Sequence, residues 1–459
     1  MYSFKAGVFM KIVIVGAGKI GSAIVKNVSE ENHEVIVIDD NPKVVEEIVN
    51  QYDVLGISGN GVSYEMQKEA GVATADIFIA VTTSDEANML ACLIAKKLGA
   101  KHTIARVRDY EYTKQIDLMT GALEITRTIN PEHEASKEIM RIINFPEALK
   151  VDSFAHGNCD LTELFIPEDS PLVGQSLMSM ASKIDFKVLV CAVQRGNEVI
   201  IPKGQFVFEA KDKIHLISSQ EASRGFISKL GLQSAKLKDI MIIGAGKITT
   251  YLADALIKNK FNVKIIEINP DKAKELAELL PNATVVLGDG SDQNLLREEG
   301  ILNSDAVICL TGIDEENIII SLYANKLNVK KIITKVNRAS FQGLLESIEM
   351  GSVISPKDLA ANQIVSYIRA TSNARGNNVL TLHKIVDNQV EAIEFLVTDS
   401  SKVLNIPLKD LELRKDILIG GIIRNHQVII PSGMTSIEKG DSVIVVSKEV
   451  LSDLDEILV

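Results

Sequence analysis

Several things are scarce in this sequence, and each scarcity narrows the reading. Its 459 residues hold four cysteines, Cys92, Cys159, Cys191 and Cys309, far apart and with no Cys-x-x-Cys pairing. Nothing in that spacing calls for an oxidising compartment, and Cys309, inside an apolar run, reads as a small core residue rather than a ligand. Basic residues are in the minority. A net charge of −12 argues against binding nucleic acid through a broad basic face, although a local basic patch stays open. No apolar run approaches the ~18 residues of a membrane span. The N-terminus has no apolar core followed by a cleavage site. The expectation is a cytoplasmic protein, with residues 1–9, before Met10, an extension without fold content.

What is present is ordinary in composition and unusual in arrangement. Hydrophobic content of 46% and charged content of 24% suit a soluble globular chain. At roughly 100–200 residues per domain the length suggests three or four domains. The stretch 11–41, KIVIVGAGKIGSAIVKNVSEENHEVIVIDDN, returns at 239–269 as DIMIIGAGKITTYLADALIKNKFNVKIIEIN. Gly16 and Gly244 stand 228 residues apart, as do Asp39 and Glu267.

Apolar strands and amphipathic helices alternate through the first copy. Strands are expected at 13–15, 35–38, 54–56, 77–81 and 103–106, with helices at 20–28, 42–52, 66–70 and 85–98. Continuous apolar strands between helices imply a parallel sheet covered on both faces. Right-handed crossovers then leave a doubly wound, Rossmann-like sheet. The second copy keeps the order: Leu287-Gly288-Asp289-Gly290 answers Ser58-Gly59-Asn60-Gly61, and Thr311 through Asn317 answers Thr82 through Asn88. Pro131 and Pro356 open helices with apolar stripes (Ala135, Ile139, Ile142, Ile143; Ile364, Val365, Ile368). Those stripes cover either their own domain or a partner subunit. Smaller units follow, at 151–220 and about 378–450, and they match at Ile-Ile-Pro-x-Gly (Ile200 to Gly204, Ile429 to Gly433) and at Asp212 and Asp441. The fold class is therefore α/β: two doubly wound parallel-sheet domains, each followed by a small α+β domain, in tandem duplication.

The chemistry sits in the glycine loops. Gly16-x-Gly18-x-x-Gly21 follows a strand and opens a helix, and Asp39 ends the second strand. Gly16 permits the tight turn, Gly18 lets backbone approach a pyrophosphate, and Gly21 lets helix and sheet pack closely. The loop residues Ala17, Lys19 and Ile20 lead into a helix N-terminus whose free N–H groups attract phosphate. Asp39 can accept from ribose hydroxyls and repels a 2′-phosphate, which favours NAD(H) over NADP(H). The second loop, Gly244, Ala245, Gly246, Lys247 and Ile248, ends in Thr249 where the first has Gly21, and Glu267 keeps the carboxylate. A branched Cβ at Thr249 is expected to hold the helix off the strand, so the ligand preference of the second site is open, as is a purely structural role. Asn60 and Asp289 occupy turns near the adenine edge. Thr82, Thr83 and Thr311 end strands at the crevice, and Arg106 and Lys335 end later strands, where they either neutralise phosphate or are solvated cations.

These residues resemble the Trk-type potassium-uptake regulatory subunit, a family built from two RCK (KTN) modules. The resemblance runs from Met10 to about Val450. It implies peripheral cytoplasmic proteins that form a ring, a homotetramer or similar, under a membrane-embedded potassium transporter subunit at the inner face of the cell membrane. They bind NAD(H) and adenine nucleotides, ATP or ADP, the latter expected mainly at the second site, and they gate ion flux without chemistry or nucleic acid. The implied division is 1–9 extension, 10–135 first Rossmann domain, 136–150 crossover helix, 151–220 first small domain, 221–237 linker, 238–360 second Rossmann domain, 361–377 crossover helix and 378–459 second small domain. In related single-module regulators an acidic residue after the crossover-helix proline lies near phosphates and a bound cation. Glu132 matches that place, whereas Lys357 departs from it.

Two rivals share parts of this pattern. An NAD-dependent oxidoreductase needs an acid or base over the nicotinamide, and none of the seven histidines, His33, His102, His133, His156, His215, His383 and His426, forms a catalytic motif. The small domains, at about 70 residues each and present twice, suit symmetric assembly better than one active site. A regulator of another cation channel or exchanger shares the fold and is not separated by these motifs.

Overall fold

Short runs of Val and Ile, too stiff at Cβ to favour helix and fully apolar, make the strands that open each half. The computed structural model describes residues 10–29, 33–154, 158–183, 187–196, 198–230, 236–338, 341, 351–373, 379–386, 389–425, 427–451 and 453–459. The expected extension at 1–9, His156, His426, part of the linker at 231–235 and part of the second crossover helix at 374–377 lie outside them.

In the first half, β1 (Lys11–Val15), β2 (Glu34–Asp39), β3 (Leu55–Ser58), β4 (Ile77–Ala80), β5 (His102–Arg106) and β6 (Arg127–Ile129) form one sheet in the order β3-β2-β1-β4-β5-β6, with all its pairs parallel. The order reverses between β1 and β4, so a crevice opens at their carboxyl ends. Next come β7 (Ala148–Phe154), β8 (Cys159–Phe165), β9 (Val188–Arg195), β10 (Glu198–Ile200) and β11 (Lys213–Ser218), an antiparallel sheet ordered β10-β9-β11-β8-β7. The second half repeats both. Strands β12 (Asp239–Ile243), β13 (Asn262–Glu267), β14 (Thr284–Leu287), β15 (Ala306–Cys309), β16 (Lys331–Lys335) and β17 (Ser352–Ile354) give the parallel order β14-β13-β12-β15-β16-β17. Strands β18 (Val379–Ile385), β19 (Val390–Leu396), β20 (Ile417–Arg424), β21 (Gln427–Ile429) and β22 (Ser442–Ser447) give the antiparallel order β18-β19-β22-β20-β21, the same topology as the first small sheet.

The halves do not stay apart as successive modules. Two compact units form: Met1–Met140 with Leu237–Ile368, and Arg141–Lys236 with Arg369–Val459. The first holds both parallel sheets and the second both antiparallel ones.

Within the first unit each parallel sheet has its own core. In one, Val13, Val15, Ile36, Ile38, Phe78 and Cys92 cluster, and in the other Met241, Ile243, Ile266, Val307 and Cys309. Each such side chain taken fully out of water contributes about 1.5–3 kcal/mol. All four cysteines are buried and free. Burial pushes the Cys309 and Cys191 thiols up to about 12, as expected of inert core residues.

In the second unit the two small sheets share a core: Phe154, Leu161 and Ile217 pack with Val390, Ala392, Ile444 and Val446. A Cβ at Gly420 would stand 2.4 Å from Ile217 Cδ1, so a larger residue there would require the tip of Ile217 to move. Matching ion pairs brace the two sheets. Arg195 pairs with buried Asp212 at 2.8 Å, and Arg424 with buried Asp441 at 2.8 Å.

The crossover-helix stripes are buried as expected, and a residue beside the second stripe reaches the first half. The Pro356–Asn373 helix places Tyr367 on the first half of the same chain: its hydroxyl lies 2.9 Å from His102 Nδ1, and Arg127 stacks over its ring at 5.3 Å. Two further differences concern the first half. Strand β3 runs over Leu55–Ser58 rather than 54–56. Helices Tyr110–Lys114 and Ile116–Leu123 and the edge strand β6 lie in a region the hydrophobic pattern left unassigned.

Candidate nucleotide cleft

The first glycine loop is pinned from three sides. Gly16 has φ +94°, the left-handed region where glycine is favoured, and a Cβ on it would meet Thr82 N at 2.9 Å. At Gly21 a Cβ would lie 1.9 Å from Gly16 O. A Cβ at Gly18, by contrast, has nothing within 4 Å, which leaves the loop crest open for a ligand. Asp39 holds the loop from the next strand: Ala17 N–H donates to its Oδ2 at 2.7 Å and Asn41 N–H to its Oδ1 at 2.9 Å.

The second loop repeats this construction. Gly244 has φ +101°, and Gly246 is equally open. Ala245 N–H donates to Glu267 Oε2 at 2.6 Å and Asn269 N–H to Oε1 at 2.7 Å. The Lys247–Lys258 helix starts at Gly246 with no side-chain cap, so its first N–H groups remain for an anion. Thr249 does not stand out from the loop. It is fully buried, and its hydroxyl donates to Gly244 O at 2.5 Å, a tie across the turn that glycine cannot make.

Two buried asparagines that the motifs did not single out fix the strand-end walls. Thr82 N–H and Oγ1–H donate to Asn88 Oδ1 at 2.8 and 2.7 Å, and Asn88 Nδ2 donates to Arg106 O at 2.9 Å. Asn317 makes the equivalent bonds, accepting from Thr311 N–H at 2.8 Å and donating to Lys335 O at 3.0 Å. Asp85 and Asp314 add a second tie, accepting from the backbone N–H of Arg108 and Asn337, each at 2.8 Å. The repeated Asp-x-x-Asn spacing (Asp85/Asn88, Asp314/Asn317) was the available signal. Asn60 and Asp289 close local turns, accepting from Val62 N–H at 3.0 Å and Ser291 N–H at 2.8 Å. The Ser291 backbone bond is the main cause holding the Asp289 carboxyl below its ordinary range.

Both loops open onto one cleft of about 870 Å³ inside the first unit. From the first half its walls include Gly16, Gly18, Lys19, Ile20, Asp39, Asn60, Thr82, Thr83, Arg106 and Glu132; from the second come Gly246, Lys247, Ile248, Lys335 and Lys357. Ala17 and Gly21 sit behind the first crest. Gly244, Ala245, Glu267, Asp289 and Thr311 build the second loop and its surroundings without lining this cleft. The cleft therefore takes in most of the residues expected at the first loop but only Gly246, Lys247, Ile248 and Lys335 of those expected at the second.

Charges converge at the junction. Arg106 is only 8% exposed and its Nε has no hydrogen-bond partner. Burial lowers its pKa, and Arg108 adds to the effect. Lys335 is lowered too, by burial, with Lys19 of the opposite loop contributing. Glu132 Oε2 is likewise buried without a partner, and burial raises its pKa against the pull of Arg106, Arg108 and Lys247. Among the described residues no group of three or more His, Cys, Asp or Glu side chains is placed to hold a metal ion. An open crest, an uncapped helix start and the partnerless Nε of buried Arg106 suit a dinucleotide or an adenine nucleotide, whose phosphates supply acceptors.

The expectation that no Tyr-x-x-x-Lys pair is present is incorrect: Tyr64/Lys68 and Tyr110/Lys114 have that spacing. Neither reaches the cleft. Tyr64 is 52% exposed on the Tyr64–Glu69 helix. Tyr110 donates to Asp254 at 3.2 Å, while Lys114 pairs with Glu111 at 2.9 Å. Burial and then Asp254 raise the Tyr110 pKa, the wrong direction for a general base.

Comparison with known proteins places this architecture. The TrkA-N domain model matches residues 12–131 and again 240–356, and the TrkA-C domain model matches 161–231 and 392–458. The Trk system potassium uptake protein TrkA of Vibrio alginolyticus is 32% identical over 97% of this chain and 98% of its own length. That of Halomonas elongata is 32% identical over 98% of each. These relatives are named for potassium uptake and not for an enzyme activity. Among solved structures, the GsuK RCK domain superposes with TM-score 0.63 at 17% identity, covering 97% of this chain and 93% of that one, a likeness of fold. Both domain models occur twice, in alternation, and the match to the curated relatives spans nearly the full length. The chain therefore belongs to the TrkA family of Trk system potassium uptake proteins.

Proposed function

We propose that this chain is a nucleotide-sensing regulatory subunit of a membrane potassium transporter. It binds NAD(H) at the first glycine loop and an adenine nucleotide, ATP or ADP, at the second, and it acts as a ring, a homotetramer or similar, at the inner face of the membrane. Residues 10–135 and 238–360 carry the nucleotides, the helices described over the crossover segments 136–150 and 361–377 end at Asn144 and Asn373, 151–220 and 378–459 are the small domains and 221–237 links the halves. No described helix is long and apolar enough to cross a membrane; in this reading the transporter is a separate chain. The observation that carries this reading is the single cleft onto which both loops open, with Arg106 and Lys335 at its junction. Ligands differing in phosphate charge meet that junction differently, and a ligand that favours one ring conformation shifts the population by its differential affinity. Two solved GsuK channels, one bound to NAD and one bound to ADP, share the fold and support the choice of ligands. Glu132 is the candidate for a cation beside bound phosphates.

Calorimetry with NADH, NAD, ATP and ADP tests the assignment, using variants at the open crests. Gly18→Glu places a carboxylate at the crest where phosphate belongs, and its Cβ meets no atom within 4 Å. It is expected to weaken NADH binding more than about tenfold, the loss of one charged hydrogen bond or more, with thermal stability unchanged. Gly246→Glu is expected to do the same to the adenine nucleotide. Equal binding by both variants and the wild type would remove the nucleotide reading.

A further inference from the structure

We propose that Tyr251 is the positioning residue through which occupancy of the second loop sets affinity at the first, an inference that rests on the nucleotide reading above. Tyr251 lies one turn into the helix that the second loop opens, and it is 6% exposed. All of its named partners belong to the first half. Its hydroxyl donates to Arg108 O at 3.0 Å, accepts from Asn130 Nδ2 at 2.9 Å and lies at hydrogen-bond distance, 2.9 Å, from Thr113 Oγ1. Its ring packs at 5.1 Å from both Tyr110 and His133. One helical turn further, Asp254 accepts from Tyr110 Oη at 3.2 Å.

These partners are the supports of the first site's charged wall. Arg108 follows Arg106 at the end of β5 and lines the cleft itself. Asn130 immediately precedes Pro131 and Glu132, also on the wall, and its side-chain oxygen accepts from His133 N–H at 2.9 Å. A displacement of the second-loop helix is thus delivered to Arg106, Arg108 and Glu132 through a buried, hydrogen-bonded contact that has little freedom to slip. The connection runs one way. The repeat places Ala23 and Lys26 where the second half has Tyr251 and Asp254, so the first-loop helix lacks both groups. Binding free energies remain reciprocal whichever half supplies the linking side chain.

The test is a coupling factor measured on the full chain as NADH affinity without and with saturating ADP at the second loop. Glu267→Ala isolates the first site, Asp39→Ala isolates the second, and comparison with wild type gives the factor by which filling one changes the other. That factor is expected to depart from unity by at least about fivefold, within the 5–150-fold range of known couplings. In the Tyr251→Phe background, which keeps the ring and removes the hydroxyl, it is expected to fall to within about twofold of unity, while each isolated affinity changes less than the coupling does. A side chain that only stabilises the fold would lower both affinities and leave the factor unchanged, which overturns the proposal, as does a wild-type factor of one. Should Tyr251→Phe fail to assemble like wild type by light scattering, Thr113→Val removes one hydroxyl partner and is held to the same criterion. Failure of wild type to bind NADH at all overturns the nucleotide reading and this proposal with it, whereas binding without coupling overturns this proposal alone.

Discussion

Asp39→Ala is expected to weaken NADH binding at the first loop by about 10–150-fold, the equivalent of about 1.5–3 kcal/mol for hydrogen bonds to a charged group. Two effects add. The carboxylate is lost as an acceptor for ribose hydroxyls, and the loop loses the bond from Ala17 N–H that holds its crest in place. The fold should survive, because β2 is buried through Val35, Ile36, Val37 and Ile38 rather than through the aspartate. Glu267→Ala should act in parallel on the second loop, where the same pair of backbone donors is held. Calorimetry on both variants checks the sizes, with thermal denaturation as the control for folding; NADH affinity unchanged in Asp39→Ala would remove the first-site assignment.

The second large effect is expected at Arg106, and it has opposite signs in the free and bound protein. A buried guanidinium with an unpaired Nε destabilises the free chain, and its lowered pKa records the same burial. Nucleotide phosphates relieve that cost by supplying acceptors and charge. Arg106→Met, which keeps much of the stem's volume, is therefore expected to leave the ligand-free protein as stable as wild type or slightly more so. ADP affinity should fall by about 30–150-fold, or about 2–3 kcal/mol. NADH should lose less, since its doubly esterified pyrophosphate carries less charge than the diphosphate of ADP, whose terminal phosphate is free. A lower melting temperature without ligand, or equal losses for the two ligands, would contradict this account of the wall.

Much of this architecture was legible in the chain itself. The 228-residue repeat, the glycines and the carboxylates Asp39 and Glu267 stand where local rules put them, because a tight turn, a close approach and a strand end each select a residue type. The least legible parts are tertiary. Strand β6 is three residues long, too short to show a period, and it forms because Arg106 and its neighbours offer an open sheet edge. Asn88 and Asn317 looked like ordinary polar helix residues; only the folded strand ends show what they hold. The shared cleft depends on contacts such as Tyr251 with Arg108, 143 residues away, and no motif encodes that distance. Thr249 marks the limit of reasoning from residue type. A branched side chain in a glycine's place suggested a displaced helix, yet its hydroxyl found a carbonyl inside the turn.

The most direct test of the central claim is potassium flux through the cognate transporter in vesicles, with the chain added on the cytoplasmic side and NADH, ATP and ADP titrated. The account predicts flux that depends on the added chain, changes with nucleotide, and loses its NADH response in Asp39→Ala while the variant still binds the transporter. Flux that follows the chain but ignores every nucleotide, or an Asp39→Ala response equal to wild type, would contradict it.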